Sequence, residues 1–276
     1  MNLNVQEQFD LLNKSYSIKK RFLRMYKNAH AGHIGCSLSC AEILTFLRFE
    51  WMGVYDELIL SKGHAAAALY SVWAEYGILT EDDITSFYKN GTYLAAHPPA
   101  GKIKGIPFAT GSLGHGLSLA GGLALAARLK RNNKKIFCVT SDGELNEGSI
   151  WEAAMFIAHH NLLNCVWLID RNNIQGFGRT EDIIRLNPLD EKLKAFGFDV
   201  IEVDGHDMNS LFKAKEYYTN LQKPLAVICH TIKGNAVRYF QDTVDCHYLP
   251  MKDEHFELAN ADIEFFLNEK VKQLNG

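Results

Sequence analysis

Apolar positions along the chain alternate between two spacings. Short runs of aliphatic and β-branched residues recur at residues 57–60, 136–140, 165–169, 199–203 and 225–229. Runs this short and this continuous read as strands buried on both faces, the pattern of a parallel sheet. Between them the apolar spacing is helical. Over residues 5–28, Val5, Phe9, Leu12, Tyr16, Leu23 and Tyr26 keep a heptad-like register that breaks at Lys19, which predicts a packed surface helix rather than a coiled coil. An alanine-rich helix follows Ser61-Lys62-Gly63-His64 and stops near Gly77, and a Gly/Ala-rich one spans residues 116–131. Ile150, Ala153, Ala154 and Ile157 form one buried helical face, and residues 189–196 and 208–221 read as further helices. A polar helix runs from Lys252 to the end, either capping the fold or meeting a partner. Strands alternating with helices predict an α/β fold: a doubly wound, mostly parallel sheet with helices on both faces. Residues 1–250 form the expected domain and 251–276 a helical tail.

The chemistry gathers where strands end. The strand at residues 136–140 runs into Ser141-Asp142-Gly143, where a glycine permits a sharp turn and close approach to a ligand. One crossover helix later, the strand at 165–169 ends on Asp170-Arg171-Asn172-Asn173. Such crossovers join adjacent parallel strands, and ligands of open α/β sheets bind beyond the strands' carboxyl ends. Asp142 and Asn172 offer a sparse set of oxygens. Mg²⁺ takes one or two protein oxygens and fills its shell with water and phosphate, while backbone N–H groups near a helix start favour anions. Together these predict a site for a metal-bridged diphosphate. An ordinary turn whose aspartate caps the helix would explain Asp142 but not the amide at the next strand's end.

Composition narrows the field. The chain has 276 residues, a net charge of −3 and nearly half its residues hydrophobic, enough for an ample core. That charge leaves no footprint for nucleic acid or an anionic membrane. No apolar run reaches membrane-spanning length and the polar N-terminus has no signal-peptide core. Six cysteines, Cys36, Cys40, Cys138, Cys165, Cys229 and Cys246, show no metal-type pairing beyond a loose Cys36/Cys40, and read as reduced core thiols of a cytoplasmic protein.

Asp142-Gly143, Glu147-Gly148 and, one βαβ unit on, Asn172 resemble the thiamine-diphosphate signature of the transketolase family, with Ser141 in place of its first glycine. Further matches run along the chain. Gly32-His33-Ile34-Gly35 resembles the family's Gly-His-Pro-Gly loop and makes His33 the substrate-facing histidine, ahead of His30. Ser61-Lys62-Gly63-His64 resembles the diphosphate-side Gly-His, and a histidine at a strand-end turn can donate to phosphate. His97-Pro98 resembles a substrate-pocket Gly-His-Pro segment, and Thr110-Gly111-Ser112-Leu113-Gly114 places Gly111 and Leu113 at cofactor-lining positions. His247 falls where the family has a second diphosphate- and substrate-side histidine. The Ile174 backbone carbonyl is expected as a third ligand to Mg²⁺ (or Ca²⁺), beside Asp142 and Asn172.

The resemblance implies thiamine diphosphate and transfer of a two-carbon ketol unit from a ketose-type donor, a sugar or sugar phosphate, to an aldehyde. His33, His64, His97 and His247 would exchange protons with the reacting hydroxyls. Glu147 and Glu152 are candidates for a buried carboxylate network. The likeness covers only the diphosphate-binding domain, so the chain is expected to be the N-terminal subunit of a split transketolase. A C-terminal subunit with the pyrimidine-binding domain would complete a heterotetramer of two plus two. Rival readings are a deoxyxylulose-phosphate-synthase-like or 2-oxo acid dehydrogenase-like subunit, or else a non-catalytic scaffold.

Overall fold

The computed structural model describes residues 2–275. Helix α1 (Val5–Ala29) starts at Asn4, whose side chain caps the Glu7 N–H while Glu7 caps Asn4 in return, and stops where His30 turns left-handed. It is one unbroken helix. Lys19, the apparent break in its register, is buried and paired with Glu42 at 2.5 Å, so its polarity is answered inside the core. Helix α2 (Ile34–Phe46) begins earlier than the glycine-rich loop suggests, placing Cys36 and Ser37 in its first turn, and is buried on every side.

Strand β1 (Glu57–Leu60) leads through a short turn into α3 (Ala66–Glu75), followed by the short α4 (Glu81–Thr85). A long irregular connection precedes α5 (Gly116–Leu129). Strand β2 (Ile136–Ser141), α6 (Gly148–His159) and β3 (Cys165–Arg171) then form the predicted crossover unit. A small antiparallel hairpin, β4 (Ile174–Gln175) with β5 (Gly178–Arg179), runs into α7 (Thr180–Ile183). Helix α8 (Leu189–Ala195), β6 (Asp199–Asp204), α9 (Met208–Tyr218), β7 (Leu225–His230) and α10 (Asp253–Asn275) complete the chain.

Five parallel strands lie in the order β1-β2-β3-β7-β6, flanked by helices on both faces, so the fold is the α/β architecture the spacing predicts. Alternate strand residues supply two cores. Phe137, Val139, Val166 and Leu168 pack beneath α1, α2, α3, α9 and α10; Cys138, Trp167 and Ile169 pack beneath α5, α6 and α8. Helix α10 lies along α1, with Ala259 and Ile263 in the first core. All six cysteines are buried free thiols. Among the described residues no helix is long and apolar enough to cross a membrane.

Candidate active site

Beyond the carboxyl ends of β2, β3 and β7 lies a cavity of about 380 Å³. Its wall includes His64, Leu113, Asp142, Gly143, Asn172, Ile174 and His247, all of them residues the sequence points to. His33, His97 and Gly111 stand beside it. The His33 ring lies 5.5 Å from His64, 6.4 Å from His97 and 5.3 Å from His247, and His64 is 5.6 Å from His247. Four histidines from four separate loops thus meet in one cluster. Gly111, at φ 153°, passes so close to the His97 ring that a Cβ would sit 2.9 Å from it, which is why that position takes no side chain. His30 is elsewhere, on a larger cleft of about 680 Å³ beside α1 and α4 that gathers none of the strand-end residues.

The strand-tip oxygens are held by a dense set of donors. Asp142 Oδ1 accepts the Gly143 N–H at 2.8 Å, the turn-capping role anticipated for an ordinary aspartate. Its Oδ2 does more, accepting the Asn173 N–H at 2.7 Å, Thr180 Oγ1 at 3.1 Å and Arg171 at 3.4 Å. Burial pushes the Asp142 carboxyl upward, opposed by Arg171. Asn172 gives its amide N–H to Asp170 at 3.3 Å, which turns Oδ1 to the other side, where it accepts the Ile174 N–H at 3.1 Å. Gly143 has an ordinary negative φ and opens a 3₁₀ turn. Its missing side chain makes room for Gln175, 2.9 Å from where a Cβ would be, rather than for a sharp bend.

Two buried lysines on the cavity wall are given no role by the sequence, although Lys62 lies inside the Ser61-Lys62-Gly63-His64 match. Lys62 gives its three donors to Asp170, the Cys36 carbonyl at 3.0 Å and Ser39 at 3.3 Å, and is saturated. Lys233 donates to the Ile174 carbonyl at 2.8 Å and to His247 Nδ1 at 2.7 Å, leaving one donor of three for the cavity it lines. Because Nδ1 accepts, His247 carries its proton on Nε2. The Ile174 oxygen expected as a metal ligand therefore already has an ammonium partner here.

Electrostatics sort the remaining groups. Burial and the facing rings of His64, His247 and His97 hold His33 down at about 4, so its imidazole is neutral near pH 7; burial and His64 lower His97 as well. Burial alone would raise the Cys36 thiol, but His64 and Lys233 outweigh it and hold the thiol well below its usual range. Glu147 and Glu152 are both exposed. The buried carboxylate is Glu144, fixed by Ser61, the Gly114 N–H at 2.7 Å and the Ser141 N–H at 3.3 Å. A 3₁₀ turn over Gly143–Asn146 lies between β2 and α6, and it is this turn, not α6, that carries the inward carboxylate.

A parallel sheet that presents oxygens, a spare ammonium and clustered imidazoles at its carboxyl edge has the donor set of an anion-binding site. Residues 17–271 match the family model described as transketolase, thiamine diphosphate binding domain. The chain belongs to the transketolase family and is a thiamine diphosphate-binding, N-terminal unit of a transketolase-type transferase. It is 35% identical over 269 residues to one of the subunits of the apulose-4-phosphate transketolase of Phocaeicola vulgatus, covering 94% of this chain and 95% of that protein. It is 34% identical to the 6-deoxy-6-sulfo-D-fructose transketolase subunit SqwG of a Clostridium species, covering 94% of this chain and 98% of that one. The transketolase crystal structure from Campylobacter jejuni superposes with a TM-score of 0.87 at 27% identity, over 96% of this chain and 43% of that chain. The chain thus spans under half the length of that enzyme.

Proposed function

We propose that the chain is the half of a two-component transketolase that grips the cofactor's diphosphate and, with a second polypeptide, moves a two-carbon ketol unit from a ketose-type donor to an aldehyde. The observation that carries this reading is the meeting of strand-tip oxygens and four histidines around one cavity. Asp142, Asn172 and the Ile174 carbonyl are the proposed ligands of Mg²⁺ or Ca²⁺. One carboxylate and two neutral carbonyl oxygens suit a hard cation that also takes water and phosphate. Among the described residues no cluster of three His, Cys, Asp or Glu is arranged to hold a metal, and the proposed set draws on only one carboxylate. For the Ile174 oxygen to serve, Lys233 must share it or swing its ammonium toward the arriving diphosphate.

His64, Gly111, Leu113, Gly143 and His247 are assigned to cofactor binding, with His247 Nε2–H and Lys233 as donors to anionic oxygen. The bound cofactor supplies the nucleophile and electron sink for carbon–carbon cleavage. The protein supplies proton transfer: neutral His33 can accept a hydroxyl proton, and His64, His97 and His247 stand within one ring's reach to relay or return it. Residues 1–250 form the proposed catalytic domain and 251–276 a supporting helix; the compartment is proposed to be the cytoplasm. The partner carries the pyrimidine-binding domain, in a two-plus-two heterotetramer. Native mass spectrometry of the tagged chain from its own cells tests this. A co-purifying second chain with thiamine diphosphate is expected; a lone chain without cofactor, from cells that express the partner, overturns it.

A further inference from the structure

Behind the site runs a second buried polar chain that the proton transfer and cofactor binding do not use. Lys19 on α1 meets Glu42 on α2 at 2.5 Å, and the other oxygen of Glu42 lies 3.1 Å from His206 Nδ1. Burial pushes the Glu42 carboxyl up, but Lys19 and His206 more than offset it and hold the group at about 2, so it is charged. On the far side of the ring, His206 Nε2 accepts the Ile232 backbone N–H at 2.8 Å. A nitrogen that accepts a backbone N–H bears no proton, so the ring's proton sits on Nδ1 and points to Glu42. The Asn235 amide lies 3.0 Å from the same Nδ1 and, with the proton there, bonds it only when its oxygen rather than its nitrogen faces the ring. The ring is therefore held in one tautomer, and it clasps the segment that follows β7.

That segment is anchored at several points, among them the Lys233 carbonyl, which accepts the Asp242 N–H at 2.8 Å. Thr231 is bonded to Asp170, Ile232 to His206, and Gly234 donates to the Gly35 carbonyl at 3.2 Å. Between them Lys233 drops inward, 1% exposed, to the Ile174 carbonyl and His247. The His206 bond lies one peptide unit, about 3.8 Å between Cα atoms, from the lysine it precedes.

We infer that His206 is a positioning residue: by accepting the Ile232 N–H it fixes where Lys233 enters the site, and so sets both the anion-binding ammonium and the His247 tautomer. The link to anion binding rests on the proposed cofactor site; the positioning itself does not.

The test uses the chain assembled with its partner and reads two quantities. One is the rate of Lys233 acetylation by acetic anhydride, followed by peptide mass spectrometry. The other is thiamine diphosphate affinity by titration calorimetry. His206→Phe keeps the ring's volume but has no acceptor. It is expected to speed Lys233 labelling about tenfold and weaken cofactor binding by a similar factor, the scale of one lost hydrogen bond. His206→Gln, which restores an acceptor oxygen, should return both toward wild type. His206→Asn, too short to span the gap, should behave like His206→Phe and serves if that variant does not fold. Leu44→Ala, a fully buried change on the neighbouring helix, controls for general destabilisation and should leave Lys233 labelling unchanged. Wild-type labelling in His206→Phe and His206→Asn, or faster labelling in Leu44→Ala to the same extent, overturns the inference. If the wild-type complex takes up no thiamine diphosphate, the functional reading falls while the labelling still decides the role of His206.

Discussion

Replacing Lys62 with methionine removes one charge from a pair in which both side chains are fully buried. The Lys62 ammonium bonds Asp170, the Cys36 carbonyl and Ser39, and although burial opposes its charge, Asp170 holds its pKa above the ordinary lysine value. Methionine fills nearly the same volume, so little packing is lost. What remains is the Asp170 carboxylate with only neutral donors: Ser39 at 2.6 Å, the Asn172 amide at 3.3 Å, and Thr231. Stranding one member of a buried ion pair costs roughly 3–5 kcal/mol. At about 2–4 °C per kcal/mol for a domain near this size, the melting temperature should fall by roughly 6–20 °C. Urea unfolding followed by tryptophan fluorescence should show an earlier midpoint with an unchanged slope. Adding Asp170→Asn removes the stranded charge, so the double variant should lose about 1–3 kcal/mol less than the two single losses added together. A Lys62→Met variant within about 1 kcal/mol of the parent, or single losses that simply add, would rule out a desolvated, mutually dependent pair.

Other consequences are equally direct. Lys233→Met should weaken thiamine diphosphate binding by about 10- to 100-fold in calorimetry, the loss of one charged hydrogen bond, and should also lower the melting temperature because the Ile174 carbonyl and His247 Nδ1 lose their buried donor; unchanged affinity would remove Lys233 from the anion site. His33, held at about 4, should show an imidazole proton resonance that titrates near that value. Between about pH 6.5 and pH 4 the unfolded chain takes a proton that folded His33 refuses, so this group's effect is a stability that is lost as pH falls through that window and is level above it. A midpoint near 6.5 would contradict the clustering. Cys36 should react with iodoacetamide near neutral pH ahead of Cys40, Cys138, Cys165, Cys229 and Cys246, whose thiols burial pushes up, and bound cofactor should slow it. Uniform labelling of the six would count against the cationic pocket around it.

What the sequence makes legible is local. Strand ends declare themselves by a β-branched run meeting Asp142-Gly143 or Asn172-Asn173, and the histidines sit among glycines and prolines that interrupt helical spacing. The pairs that hold the site rigid leave no such mark. Lys62 and Asp170 are 108 residues apart, and Glu42 and His206 are 164 apart, so neither partner alters any periodicity near the other. Lys19 reads as a fault in α1 because a buried cation is legible only once its counter-ion on α2 is in place. Glu147 is named for its place in the signature and Glu152 as a second candidate, but the 3₁₀ turn after β2 leaves both exposed and brings Glu144 inward instead. Lys233, in a loop after β7, finds its partners only when β3 and β7 lie side by side.

In the proposed site, the strand-tip oxygens at Asp142 and Asn172 hold the cofactor's diphosphate through a divalent cation. The most direct test of this is the thiamine diphosphate content of the purified two-subunit complex, dialysed with Mg²⁺ or with EDTA, in wild type and in Asp142→Asn. The asparagine keeps the side chain's shape and its bond to the Gly143 N–H while removing the charge. Retention in wild type with Mg²⁺, release with EDTA, and release in Asp142→Asn under both conditions is the predicted pattern. Cofactor that stays bound in Asp142→Asn as tightly as in wild type would contradict it.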